Sequence, residues 1–167
     1  MMNLKIFKGL ERFGDHYPSK AVKYAMENKE EAIPELLEIL EYTLSDVERV
    51  SKDVDYLIQF PVIYMLAYFR ETRAYDSIVR IAALPEEQAY DLLGDTITDD
   101  FGRILASVCD GNIEPIKEII EAPSLEEYIR DQALGSLLIL LNNGMVSREQ
   151  LVFYFKELFN GKLEVDY

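Results

Sequence analysis

The sequence predicts an all-α fold, an α-α superhelix of about four stacked helical hairpins, and three observations lead there. The first is a five-residue pattern that recurs four times: Leu36-Leu37-Glu38-Ile39-Leu40, Ile78-Val79-Arg80-Ile81-Ala82, Ile116-Lys117-Glu118-Ile119-Ile120 and Phe155-Lys156-Glu157-Leu158-Phe159. Every copy is apolar at positions one, four and five, which share one face of a helix, and charged at position three, which points away. The second is the spacing, with steps of 42, 38 and 39 residues. A period of about 40 residues fits two helices per unit. The third is the density of helix start and stop residues, with no alternating run bounded by turns to make a strand.

Taken in order, residues 4–13 carry Ile6, Leu10 and Phe13 on one stripe and are expected to cap the N-terminal end, within a cap of residues 1–17. Repeats then fill 18–160 of a single 1–167 domain. The first helices of the four hairpins are expected at 18–27, 54–69, 98–109 and 125–142. The second helices are expected at 31–43, 74–84, 113–121 and 147–160, with an extra helix at 86–93 inserted between units two and three. Ser45-x-x-Glu48, Ser124-x-x-Glu127 and Ser147-x-x-Gln150 fit the capping box, and Asn28 and Asn112 resemble simpler N-caps. Pro18, Pro34, Pro85 and Pro115 suit a first helical turn, Gly94, Gly111, Gly144 and Gly161 suit helix ends, and Pro61 is expected to kink its helix.

The segment Ile129-Arg130-Asp131-Gln132-Ala133-Leu134-Gly135-Ser136-Leu137 resembles the signature of HEAT repeats. That likeness implies a HEAT- or armadillo-like solenoid, a small residue permitting close helix packing, and an Arg130 paired with an acid of a neighbouring repeat. Three further stretches are Ala32-Ile33-Pro34-Glu35-Leu36-Leu37, Met65-Leu66-Ala67-Tyr68-Phe69-Arg70-Glu71-Thr72-Arg73-Ala74, and Leu93-Gly94-Asp95-Thr96-Ile97-Thr98-Asp99-Asp100-Phe101-Gly102-Arg103-Ile104-Leu105-Ala106-Ser107-Val108-Cys109-Asp110-Gly111. They resemble a bacterial family known as domain of unknown function 1186, over roughly residues 18–150. The resemblance implies a HEAT-like fold and no established activity. Some members continue into a small Cys/His zinc module, for which this chain, with one cysteine and one histidine, lacks the ligands.

Charge narrows the partners. Seventeen basic against 31 acidic residues give a net charge of -14, which opposes binding to phosphate backbones and to anionic membranes and suits a basic protein partner. A lone Cys109 forms no intrachain disulfide, and the N-terminal residues lack the long apolar stretch of a signal peptide, so a cytoplasmic protein is expected. The uncharged run Tyr56–Phe69, 14 residues with Pro61 and Gln59, falls short of the roughly 20 of a membrane span.

Chemistry finds little purchase. His16 is the only histidine, so His-based metal centres and Ser-His or Cys-His catalysis lack material, no phosphate loop or calcium loop is present, and no metal or cofactor is expected. Cys109 reads as a small buried hydrophobe. Between Gly94 and Gly111, Asp95, Thr98, Asp100, Arg103 and Asp110 offer a polar cluster for a cation or small ligand. Each also has a capping, ion-pairing or turn role, with Thr98 capping the next helix. Tyr56, Phe60, Tyr64 and Tyr68 stand at four-residue steps on a helix apolar all round and are assigned to the core, an aromatic groove being the other reading.

The repeat's charged position supplies the binding candidate. Glu38, Arg80, Glu118 and Glu157 should stack into a column, widened by Glu41 and Glu121, and in HEAT arrays the second helices form the concave face. The function expected is therefore a protein-binding scaffold offering an acidic concave surface to a basic segment. The alternative is a small-molecule or metal-dependent enzyme or ligand-binding protein using the Asp/Arg cluster around 95–110. The C-terminal helix, apolar on more than one face through Leu151, Val152, Phe153, Tyr154, Phe155, Leu158 and Phe159, predicts a homodimer or a missing partner element.

Overall fold

In the computed structural model the described residues are Leu10, 17–53 and 55–162, and they are all-helical, with no strand among them. Among the described residues, besides the helical Leu10, eleven α-helices follow in chain order: α1 (Ser19–Glu27), α2 (Lys29–Ser45), α3 (Val47–Lys52), α4 (Gln59–Phe69), α5 (Tyr75–Ala82), α6 (Glu86–Leu93), α7 (Thr96–Asp99), α8 (Phe101–Val108), α9 (Glu114–Glu121), α10 (Glu127–Asn142) and α11 (Arg148–Glu157). They form two layers. Helices α1, α4, α8 and α10 pack side by side in that order, while α2, α5 and α9 make a second row, with α11 against α10. Each second-row helix also leans on the following unit's first helix: α2 on α4, α5 on α8, α9 on α10. This is the packing order of an α-α superhelix.

The repeat pattern explains the core. In the first three copies the residues at positions one, four and five are buried, from Leu36, Ile39 and Leu40 to Ile116, Ile119 and Ile120, within one contiguous apolar core. The fourth copy breaks the rule. Leu158 is buried but Phe159 is 77% exposed, because no further helix among the described residues packs over that side of the last hairpin. Of the expected N-terminal stripe, Leu10 is helical and fully buried, and Ile6 and Phe13 lie outside the described residues.

Several expected boundaries shift for local reasons. Helix α4 begins at Gln59, so Pro61 sits in its first turn, where a missing N–H leaves no rung open, and it starts the helix without kinking it. Pro34 does the reverse, lying inside α2 because that helix starts five residues earlier, at Lys29. Helix α3 adds to the expected set; Val47 and Val50 bury a single amphipathic turn against α6, the expected insertion. Of the three capping boxes only Ser147–Gln150 forms. Ser45 ends α2 and donates to the Tyr42 carbonyl, and Glu126 takes the cap that Ser124 was expected to supply, accepting from the Tyr128 and Ile129 amides. Asn28 stands at the N-cap of α2 but donates back to the Tyr24 carbonyl without capping it, whereas Asn112 lies one residue before Ile113, the N-cap of α9, and accepts from the Glu114 amide.

The largest departure is the splitting of 98–109 into α7 and α8. In a continuous helix the Gly102 amide would donate to the Thr98 carbonyl. Here the side-chain amide of Gln132, from α10, is inserted into that rung. Gly102 N donates to Gln132 Oε1 at 2.8 Å, and Gln132 Nε2 donates to Thr98 O at 2.7 Å. The chain breaks at Asp100, both main-chain groups stay satisfied, and Thr98 lies inside α7 instead of capping α8, its hydroxyl donating to the Asp95 carbonyl. Gly102 allows the approach, since a Cβ there would stand 2.6 Å from the Gln132 carbonyl oxygen. Arg130, on the same helix, donates to the Ile120 carbonyl at 3.0 Å at the end of α9, a main-chain acceptor in place of the expected acid.

Gly102→Ala should therefore lower the free energy of unfolding by about 1–3 kcal/mol through overpacking against a backbone atom. Gly135→Ala, on α10 where a methyl group would meet nothing within 4 Å, should raise it by about 0.5–1 kcal/mol. Thermal and denaturant unfolding of the two variants side by side checks both signs.

Candidate functional site

The four column residues are all exposed on the second row of helices or partly so, yet they do not behave as one set. Arg80 reaches past Glu38 to Glu41, one turn further along α2, with Nη1 3.0 Å and 3.2 Å from the two carboxylate oxygens. The Ser77 hydroxyl donates to the same carboxylate. That hydroxyl is the main cause holding the Glu41 carboxyl below the ordinary glutamate range, with Arg80 adding to it and partial burial opposing. The upper part of the column is thus a bridge between units one and two.

The lower part is a cleft. Between α9 and α11 lies a space of about 360 Å³ walled by Glu114, Glu118, Glu121 and Glu157, with Lys117, Gln150, Phe153 and Tyr154 completing it. Residues 114, 117, 118 and 121 follow the i, i+3, i+4, i+7 rule, so one face of α9 lines the wall. Lys117 pairs with Glu114 at 2.7 Å and lies 5.1 Å from the centre of the Tyr154 ring. Tyr154 is 3% exposed, and its hydroxyl has no hydrogen-bond partner among the described residues. Burial first, and the Glu121 carboxylate second, push that phenol well above its usual range. Sequence reasoning found Glu118, Glu121 and Glu157 but missed Glu114, Lys117 and Tyr154; the spacing along α9 is the signal that points to the first two.

The Asp95–Asp110 set is only partly drawn together. Asp100 accepts from the Tyr64 hydroxyl at 2.7 Å and pairs with Arg103 at 3.0 Å. Asp95 is exposed at the start of α7, its carbonyl taking the Thr98 hydroxyl. Asp110 lies beyond the far end of α8 and accepts from the Asn112 amide in a turn. Cys109 beside it is buried, and burial raises its thiol. Among the described residues no three His, Cys, Asp or Glu side chains are grouped to hold a metal ion. His16 lies outside the described residues.

The aromatic stripe divides too. Tyr56 is buried and shares a hydrogen bond with Thr43 at 3.1 Å, as a core residue should. Tyr64 and Tyr68 are not core; Tyr68 is 72% exposed. With Phe60, Pro61, Met65 and Leu57 they line a groove of about 470 Å³ beside α1, to which Tyr17 and Met26 contribute. The core assignment fails because α4 lies between α1 and α8 with a stripe that neither covers.

Residues 1–167 match a family described as "Protein of unknown function (DUF1186)". The chain belongs to this DUF1186 family. It is 37% identical over 147 residues to an uncharacterised protein of Chlamydia trachomatis serovar D (strain ATCC VR-885 / DSM 19411 / UW-3/Cx), covering 88% of this chain and 58% of that protein. It is 36% identical to an uncharacterised protein of Chlamydia muridarum (strain MoPn / Nigg), covering 88% of this chain and 59% of the relative. The DUF1186 chain thus spans somewhat under three fifths of the length of these curated relatives. No solved structure matches it. No helix among its described residues is long and apolar enough to cross a membrane.

The Glu41 bridge has a pH signature. A carboxyl depressed in the folded state adds stability above its unfolded pKa and loses it as pH falls through the folded value. The stability difference between the wild-type DUF1186 chain and Glu41→Gln should be full at pH 7 and vanish below the ordinary glutamate range. Thermal unfolding of both proteins from pH 7 down to pH 3 checks this.

Proposed function

We propose that this DUF1186 chain is a HEAT-like protein-binding scaffold whose second-helix face takes a basic segment of a partner protein at the cleft between α9 and α11. The observation that carries the reading is the gathering of Glu118, Glu121 and Glu157 on one cleft whose lining cation, Lys117, is already paired with Glu114. Like charges held together repel, and an incoming Lys or Arg relieves that repulsion while its aliphatic stem lies on Phe153 and Tyr154. Net charge favours a protein over nucleic acid or an anionic membrane, and a lone buried thiol suits a reducing, cytoplasmic setting. The other reading, a ligand site on Asp95–Asp110, has the weaker support, since Asp100 and Arg103 meet without Asp95 or Asp110.

A labelled Arg/Gly peptide titrated by fluorescence anisotropy tests the cleft. Glu118→Lys/Glu157→Lys should weaken binding about tenfold or more, and so should raising the salt to about 1 M. Asp91→Lys/Asp131→Lys makes the same change in net charge elsewhere and should weaken it far less. Equal loss in the two double variants would reduce the cleft to a share of the general field and sink the reading.

Self-association has an observation of its own in the exposed Val152, Phe153 and Phe159 at the last hairpin. If that face joins two copies, sedimentation will show a dimer that Phe159→Asp converts to monomer; a wild type monomeric at high concentration rules it out.

A further inference from the structure

The groove on the first row of helices is independent of the acidic cleft and differs from it in chemistry. Its floor is one stripe of α4 and the turn before it: Leu57, Phe60, Pro61, Tyr64, Met65 and Tyr68. The spacing is i, i+3, i+4, i+7, i+8 and i+11, the seam by which one helix receives another. At 1.5 Å per residue such a stripe runs about 16 Å, or three turns. A compact ligand would use one part of such a furrow, whereas a helix uses its whole length. Exposed tyrosines beside methionine and proline are also the composition of an interface centre.

Charge tells the ends apart. At the α7–α8 end the Tyr64 hydroxyl is fixed by Asp100 at 2.7 Å, with Asp99 next to it in the chain. The hollow beyond, about 390 Å³, continues past Tyr68 to Arg103, Ile104 and Ser107 on α8. Arg103 is held against Asp100 at 3.0 Å and donates to the Asp99 main-chain carbonyl, so this end carries two acidic residues and one engaged guanidinium. The α1 end of the groove is lined by Tyr17 and Met26 and is apolar. The chain as a whole carries -14.

We propose that this groove is the docking site for an amphipathic α-helix of a partner protein, about three turns long, with its apolar stripe on Phe60, Tyr64 and Tyr68 and a Lys or Arg at the Asp99–Asp100 end. It is a second binding surface, on the opposite row of helices from the acidic cleft. Main-chain groups on both sides are already satisfied within helices, so affinity comes from side-chain burial and from one charged contact that sets direction.

The probe is a fluorescein-labelled Leu/Lys peptide of about four helical turns with its leucines on one face. Two controls accompany it: a scrambled peptide of the same composition, and a Leu/Glu analogue. The amphipathic Leu/Lys helix should bind at least about tenfold more tightly than either control. Tyr68→Ala and Tyr64→Ala should each remove about tenfold in affinity. Both side chains are exposed, so their loss leaves the fold intact, as unfolding curves will verify. Asp100→Asn should narrow the preference for the lysine peptide over the glutamate one. Glu118→Lys/Glu157→Lys should leave the contrast between helical and scrambled peptides unchanged, which separates this site from the cleft. Equal binding of the scrambled peptide overturns the proposal, as does an unchanged affinity in Tyr68→Ala. A dimer in sedimentation that Tyr68→Ala abolishes also overturns it, by making a second copy the occupant.

Discussion

The insertion of the Gln132 amide between Thr98 and Gly102 sets the geometry of everything around it. Two helices can approach so closely only where one side chain is absent, and Gly102 provides that absence on α8. Close approach alone would leave a distorted ladder with orphaned main-chain groups, at about 1–3 kcal/mol apiece if buried. A primary amide carries a donor and an acceptor in one plane, so it replaces the missing rung at both ends. The break it holds open turns Asp100 toward Tyr64 and Arg103. A straight helix through 98–109 would have no such junction, and the first row of helices would lose the polar end of its groove.

Neighbouring units of the second row are also joined by a charged contact. Arg80 and Ser77 on α5 converge on Glu41 of α2, three residues past the repeat's own acid. Two exposed charges contribute little on their own, and the hydroxyl makes the contact directional. The effect is to pair one of the two glutamates in the part of the column that lies between units one and two. Negative charge is left concentrated between α9 and α11, where four glutamates and one engaged lysine face the same space.

The architecture is legible because a solenoid writes itself into the sequence more than once. Positions one, four and five of the repeat recur at nearly constant spacing, and three copies out of four bury them as that spacing requires. What stays hidden is long-range or exceptional. Nothing near residue 100 announces that an amide 30 residues away will enter the ladder. Ser45 and Ser124 carry good capping chemistry, but a shift in where each helix starts hands the role of Ser124 to Glu126 and leaves Ser45 bonded back to Tyr42. The glutamates of the cleft are readable as a charge pattern, whereas Tyr154 is not, since an apolar C-terminal helix offers no sign of which aromatic turns inward. The tyrosines of α4 mislead for a related reason. A helix apolar all round is assigned to the core by periodicity, and only the spacing of its neighbours α1 and α8 decides which stripe stays uncovered.

Both uncovered features run against what stability alone would favour. Alternating charge along α9 would thin the acidic lining of the cleft with little loss of burial, because Glu118 and Glu157 contribute nothing to the core. Polar residues in place of Tyr64 and Tyr68 would likewise keep the core, as these rings lie outside it. Neither feature repairs a packing defect elsewhere: the break at Asp100 is already satisfied by Gln132, and the inter-unit bridge by Arg80. A fold that keeps an acidic cleft on one row of helices and an aromatic groove on the other holds two surfaces that its own packing does not require. Their chemistry is unlike, one an acidic cleft and the other an aromatic, apolar stripe. As proposed docking surfaces they lie on separate rows, so an occupant of one would leave the other open.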